Sequence, residues 1–442
     1  MLKIVIGLVA LGIVVLIHEL GHFISARLSG VTVETFSIGW GPVIFRKKIG
    51  DTEYRLSALP LGGYCGMKGE KAVSESLEKG LIDIPKEPGS FYAAHPLKRV
   101  FIAFSGPAAN LLLAFIALSF ISAAGSLYHT YSNKIIPVSF SDVDSPSPAQ
   151  EAGLIRGDEI VSLDGNDMHT FTDLQQYISL NPEKKIEAVY KRGESLLTTF
   201  VTPALDKKTG AGRIGVQPWI PLSIGSVESG SAAESAGLRA GDIVTAVDGR
   251  SVEDYFGFEE MFKEKPEEAT LTIQRDSLIL EKTIVVLYLQ DSIPKTGIQW
   301  NTVIVTVPGT GFLDSISSGA EQTVRLIALT VKSIGLLFRG VDVSEAVSGP
   351  VRITLMIGEI AQSSISGFAE LMSIICVSLF LMNLLPVPIL DGGIILFSVL
   401  ELFRGRPIRP KTMYYVQFIG IAFILFLFTL AMFGDIQFLL RQ

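Results

Sequence analysis

His18-Glu19-Leu20-Gly21-His22 sits inside the first long apolar run of the chain, Leu2 to about Ala26. Histidines four apart lie one above the other on a helix, so both can grip one metal ion while Glu19 faces the same centre. Left bare in hydrocarbon these three side chains would be costly, and metal ligation offsets that cost. The run is roughly 25 residues, enough to cross a bilayer core of about 30 Å. Lys3 before an apolar core also fits a cleavable signal peptide, but the polar cluster and the lack of a small-x-small cleavage site argue against it.

The rest of the chain is of the same kind. It has 442 residues, 48% of them hydrophobic, and a mean hydropathy of +0.43, high for a water-soluble protein. A polytopic α-helical membrane protein with sizeable soluble parts fits. The net charge of -7 comes from a mixed surface, and no basic cluster interleaved with aromatics occurs, so nucleic acid is excluded as a partner class. Two cysteines, Cys65 and Cys376, give no disulfide framework.

Four spans are predicted, over 1–28, 100–124, 365–391 and 412–434. Residues 29–66 have strand character, with Gly50-Asp51 between two β-prone runs reading as a hairpin, and 67–99 reads as a polar loop. The second span carries Ser105-Gly-Pro-Ala-Ala-Asn110. Gly106 and Ala109 allow a close helix approach, and Asn110 is an amide at membrane depth that needs a partner or a role. Residues 309–364, interrupted by Lys332, read as an amphipathic interfacial segment.

Between the second and third spans the sequence repeats itself. Ser147-Pro-Ala-Gln-Glu-Ala-Gly-Leu-Ile-Arg-Gly-Asp-Glu-Ile-Val-Ser-Leu-Asp-Gly165 aligns without gaps with Ser231-Ala-Ala-Glu-Ser-Ala-Gly-Leu-Arg-Ala-Gly-Asp-Ile-Val-Thr-Ala-Val-Asp-Gly249, 84 positions on. That offset is a small-domain length and two copies are a tandem, not a solenoid. The pattern resembles PDZ domains, expected over 126–215 and 216–308, which add peptides as strands to a sheet edge. Spacer modules without a ligand are the plainer alternative.

Lys and Arg concentrate after the first span (Arg27, Arg46, Lys47, Lys48, Arg55, Lys98, Arg99) and between the last two (Arg404, Arg406, Arg409, Lys411). The positive-inside rule makes those loops cytoplasmic, with both termini and the repeat on the other side. His18 is then about 25 Å from the outer face, towards the cytoplasm. Asp391 follows a span descending from outside and arrives at a similar depth.

Catalytic zinc takes three protein ligands and keeps one position open. Ser25 stands where a metzincin motif needs glycine, and His95, His129 and His169 lie in loops or outside the membrane. Glu34, Glu359 and Glu370 stay open as the third ligand. Asp391, in Asn383-Leu-Leu-Pro-Val-Pro-Ile-Leu-Asp-Gly-Gly393, is the acid best placed by depth, although Asp-Gly-Gly also reads as a helix-ending turn.

H-E-L-G-H in the first span, the Gly-rich hairpin region, S-G-P-A-A-N, the tandem repeat and N-L-L-P-V-P-I-L-D-G-G occur in the order of the site-2 protease family of intramembrane zinc metalloproteases. The chain resembles that family over nearly its whole length. The resemblance implies that His18, His22 and Asp391 bind Zn2+, that Glu19 is the catalytic acid/base and that Asn383, and with it Asn110, contacts substrate. It also implies a membrane-reentrant β region at 29–66 in a bacterial inner-membrane protein whose PDZ pair is periplasmic. Implied partners are membrane lipid and single-span substrates, anti-sigma factors and remnant signal peptides, already trimmed by an upstream site-1-type protease in envelope stress signalling. The rival class is a membrane scaffold or receptor binding exported proteins through the PDZ pair, with a structural metal or none.

Overall fold

The computed structural model describes residues 2–70, 72–81, 84–139, 146–207, 210–288, 294–337 and 349–440. They form two compact units, Met1–Ser126 with Val307–Gln442, and Leu127–Thr306.

The first unit is a bundle of apolar helices with one sheet. Among the described residues its helices are α1 (Leu2–Ser29), α2 (Ala72–Glu78), α3 (Pro96–Ala124), α4 (Phe312–Leu337), α5 (Pro350–Ser363), α6 (Ile365–Asn383), α7 (Asp391–Arg404) and α8 (Pro410–Leu440). Four of them, α1, α3, α6 and α8, are long and apolar enough to cross a membrane. At 1.5 Å per residue the 28 residues of α1 reach about 42 Å, past a hydrocarbon core of about 30 Å.

Several segments depart from expectation. The stretch read as a polar loop holds α2 and a short 3-10 turn at Phe91–Ala93. Among its described residues the stretch 309–364, read as an amphipathic interfacial segment, holds two helices, α4 and α5. On α4, Gln322 donates to Ser122 of α3 at 3.0 Å, and Leu326 and Ile327 pack with Val14, Ala114 and Cys376. This helix therefore covers the bundle with its apolar face. The third span ends at Asn383, and Asp391 opens α7 rather than closing a helix. Pro386 and Pro388 break the chain between them, because proline has no N–H to continue a helix.

The sheet is built from β1 (Val33–Ile49) and β2 (Thr52–Met67), joined at Gly50-Asp51. Val43 to Ile49 pairs with Thr52 to Ser57, as the local sequence suggests. In addition Thr35 to Ile38 lies between Glu53 to Leu56 on one side and Gly63 to Gly66 on the other. The fold-back puts the Gly63 to Met67 segment at a sheet edge.

In the second unit each copy of the repeat forms a four-stranded sheet of the same order. In the first copy it is Asn166–Asp167, Glu159–Leu163, Ile186–Arg192 and Ser195–Val201; in the second, Arg250–Ser251, Ile243–Val247, Glu268–Arg275 and Leu278–Val285. Several identities at the 84-residue offset have a physical counterpart, and so does an arginine recurring at 83. Ser147 and Ser231 cap the short helices, accepting from the N–H of Gln150 and Glu234. Asp164-Gly165 and Asp248-Gly249 both take positive φ, 47° and 76° against 46° and 74°, the geometry of a type I′ hairpin. Asp158 receives Arg192 Nε at 2.8 Å and Asp242 receives Arg275 Nε at 2.7 Å. Each guanidinium also donates at 2.8 Å to the carbonyl of Gly153 or Gly237. Each copy has its own apolar core, around Ile135, Ile160, Leu174 and Ile186 in the first and Ile224, Phe258, Leu271 and Ile284 in the second. The copies differ where they meet. Arg156 of the first grips Asp254 of the second with two bonds of 2.6 Å, and Asp254 is fully buried.

Candidate metal centre

The first helix presents His18 and His22 on one face, with their Nε2 atoms 3.1 Å apart. Asp391, from the start of α7, reaches both: Oδ2 is 3.2 Å from His18 Nε2 and Oδ1 is 3.3 Å from His22 Nε2. The side chains of His18, His22 and Asp391 are 12, 10 and 13% exposed. A helix N-terminus favours a carboxylate, so the break at Pro386 and Pro388 gives Asp391 a better environment than a mid-helix position.

These atoms fit a metal ion. Zinc holds nitrogen and oxygen ligands at about 2.0–2.2 Å in a tetrahedron, whose edges are then about 3.3 Å, close to all three separations. Two imidazoles and one carboxylate leave one position open, the donor set of a catalytic site. Among the described residues this is the one group of His, Cys, Asp and Glu with converging ligand atoms. Glu34, Glu359 and Glu370 lie outside it.

Helix α3 makes room for this centre. A Cβ on Gly106 would overlap His22 Nε2 and lie 2.9 Å from His18 Nε2, so a larger residue would fill the metal's place. Gly21 similarly lies against the backbone oxygen of Ser105, which brings α1 and α3 close enough for this to happen. The position of α7 is fixed from its other end, where Glu401 pairs with Arg99 of α3 at 2.6 Å, both largely buried.

Around the ligands stand groups that no residue pattern encodes. His22 Nδ1 donates to the backbone oxygen of Ile102 at 2.9 Å, which leaves Nε2 unprotonated for a metal. Glu19 Oε2 accepts from the N–H of Cys65 at 3.0 Å, tying the helix to the sheet edge. Both contacts escape sequence reading because they come from backbone. The Gly-rich run Gly62-Gly63-Tyr64-Cys65-Gly66 was the available signal for the second.

Asn110, 1% exposed, turns its amide toward His18, with Nδ2 3.4 Å from Nδ1. Asn383 is the half-buried last residue of α6. Beside the centre opens a cavity of about 260 Å³, lined by Cys65, Met67, Phe91, Tyr92, Gly393 and Ile394 among others. Burial pushes the Tyr92 hydroxyl up to about 12, and Glu70 and Arg99 are the charged residues of an otherwise largely apolar lining.

Residues 6–427 match peptidase family M50. A Treponema pallidum protein named "Putative zinc metalloprotease" is 45% identical over 99% of this chain and 100% of its own length. Protease RseP of Yersinia pestis is 30% identical over 97% of each chain, and regulator of sigma-E protease RseP of Escherichia coli is 28% identical over the same shares. Among solved structures, the PDZ domain of an SdrC-like protein from Listeria innocua matches at 22% identity. It covers 18% of this chain and 92% of that one, with a TM-score of 0.17. With the full length matched and a zinc-type donor set at its centre, the chain belongs to peptidase family M50 and is a zinc metalloprotease.

Proposed function

We propose that the protein hydrolyses a peptide bond within the transmembrane segment of single-span membrane proteins. His18, His22 and Asp391 hold the zinc, Glu19 is the general acid/base and Asn383 holds the substrate. The convergence of two Nε2 atoms and one carboxylate, all within 4.8 Å, among apolar helices carries this reading.

When bound, the zinc supplies a Lewis acid that polarises the scissile carbonyl and lowers the pKa of the attacking water. Glu19 takes the water proton and gives it to the leaving amine. Its Oε2 is held by the Cys65 N–H, which leaves Oε1 to carry the proton. A helical substrate hides its carbonyls in internal hydrogen bonds and must be unwound first. The sheet edge at Gly63 to Met67 offers replacement bonds by strand addition. The adjoining cavity suits an apolar side chain next to the cut.

Support for a membrane-reentrant role of the sheet comes from its exposed apolar side chains: Trp40, Ile44 and Phe45 are 53, 70 and 60% exposed. Lipid is the medium in which such a surface is stable. The Lys and Arg distribution supports an inner-membrane protein with the centre toward the cytoplasm, the termini and repeats periplasmic. The repeats, read as two PDZ domains, recognise the substrate's external part. Anti-sigma factors and remnant signal peptides, trimmed beforehand by another protease, are substrates of the right chemistry.

Reconstitution with single-span peptides tests this. Mass spectrometry is expected to find the cut inside the spanning segment, and a folded external domain is expected to slow cleavage. Cuts confined to soluble segments would refute the proposal.

A further inference from the structure

We propose that Asn110 is a positioning residue that sets the metal-binding form of His18. The proposal rests on His18, His22 and Asp391 being the zinc ligands.

A neutral imidazole carries one proton, and binding a metal through Nε2 requires that proton on Nδ1, where an acceptor must receive it. For His22 the Ile102 carbonyl does this, and a carbonyl can only accept. His18 is served differently. The polar group at its Nδ1 is the Asn110 amide, one turn after Gly106 on α3 and therefore on the helix face that covers both imidazoles.

In the structure the amide nitrogen faces the ring and Oδ1, fully buried, has no hydrogen-bond partner. An N–H facing Nδ1 suits a ring whose proton is on Nε2, where it would turn a proton rather than a lone pair toward the metal position. A half-turn of the amide brings Oδ1 to Nδ1, accepts the proton there and frees Nε2. Oxygen and nitrogen have nearly the same size, so the half-turn leaves packing unchanged. The metal-loaded centre therefore has the Asn110 oxygen on His18. A side chain engaged in this way is a support for the ligand, not a contact for the substrate.

The test uses the full chain in detergent and reads zinc affinity by competition with a chelator. Asn110→Leu keeps the volume and removes the acceptor, and it is expected to weaken zinc binding about 10–100-fold. Asn110→Asp supplies an acceptor and is expected to bind zinc at least as tightly as wild type. Cobalt(II) substitution should give the same absorption spectrum in wild type and Asn110→Asp, and a shifted one in Asn110→Leu. Unchanged affinity in Asn110→Leu, or an equal loss in Asn110→Asp, would overturn the proposal. So would a raised KM with zinc affinity and spectrum intact. Metal-free wild type and Asn110→Leu are expected to melt together, and a lower melting point shared by both variants would assign the loss to packing and overturn it too. Failure of the ligand assignment reads differently, as His22→Phe binding zinc like wild type.

Discussion

Gly106 lies so close to His22 that one added methyl group would overlap Nε2. The crossing of α1 and α3 thus leaves no room for a side chain on α3 beside the two imidazoles. A glycine in the middle of an apolar helix costs about 1 kcal/mol relative to alanine, and the overlap explains why that cost is accepted here.

Gly106→Ala is therefore expected to raise helix propensity and still disable the enzyme. Zinc affinity should fall at least about tenfold, in the range seen for disturbed metal surroundings, while circular dichroism stays as in wild type. Metal analysis of the purified variant checks this, and full zinc occupancy would contradict it.

A second expectation concerns the end of the last span. Asp435, 1% exposed, accepts from the N–H groups of Gly349, Val351 and Arg352 at 3.1, 2.8 and 3.4 Å. It caps α5, whose own N-cap residue is a glycine without a side-chain bond. Asp435→Ala leaves buried donors unsatisfied and should cost about 1–3 kcal/mol, read as a lower unfolding midpoint in mild detergent. Asp435→Asn keeps an acceptor and should cost less.

How far the sequence reaches depends on the kind of contact. The repeat was legible because its Gly-Asp and Asp-Gly turns and its helix starts recur at one fixed offset, whereas the Asp158–Arg192 and Asp242–Arg275 pairs, whose arginines lie beyond the aligned stretch, were not. Asp391 could be matched to His18 by depth, yet the sequence suggested that it closed a helix, and the structure has it opening one. The two prolines before it end α6 and leave room for a new start. The fold-back that sets Thr35 between Glu53 and Gly66 was not legible, since alternation encodes a hairpin but not which third segment joins it. Ile102 and Cys65 act through backbone atoms, which every residue possesses. Arg99 with Glu401, and Asp435, were buried charges whose partners lie 302 and about 85 positions away.

Acid should loosen the repeats through two aspartates. The Arg275 guanidinium holds the Asp242 carboxyl below the usual carboxylate range, and Lys184 does the same for Asp164, aided by the Glu187 N–H. A carboxyl whose folded value is depressed contributes stability that is present above the unfolded value of about 3.9 and is lost as pH falls through the folded one. Fluorescence of Trp219 and Trp300 in a Trp40→Phe background follows the repeats. Their unfolding midpoint is expected to fall below about pH 4, less steeply in Arg275→Met. An equal acid dependence in Arg275→Met would contradict the assignment to that pair.

The central claim is that Glu19 moves the proton at a zinc held by His18, His22 and Asp391, and Glu19→Gln tests it most directly. The measurement is zinc content and cleavage rate of a single-span substrate on the same purified sample. Zinc should stay at the wild-type level while the rate falls by about 10²–10⁴. Cleavage at the wild-type rate, or a rate lost together with the metal, would contradict the account.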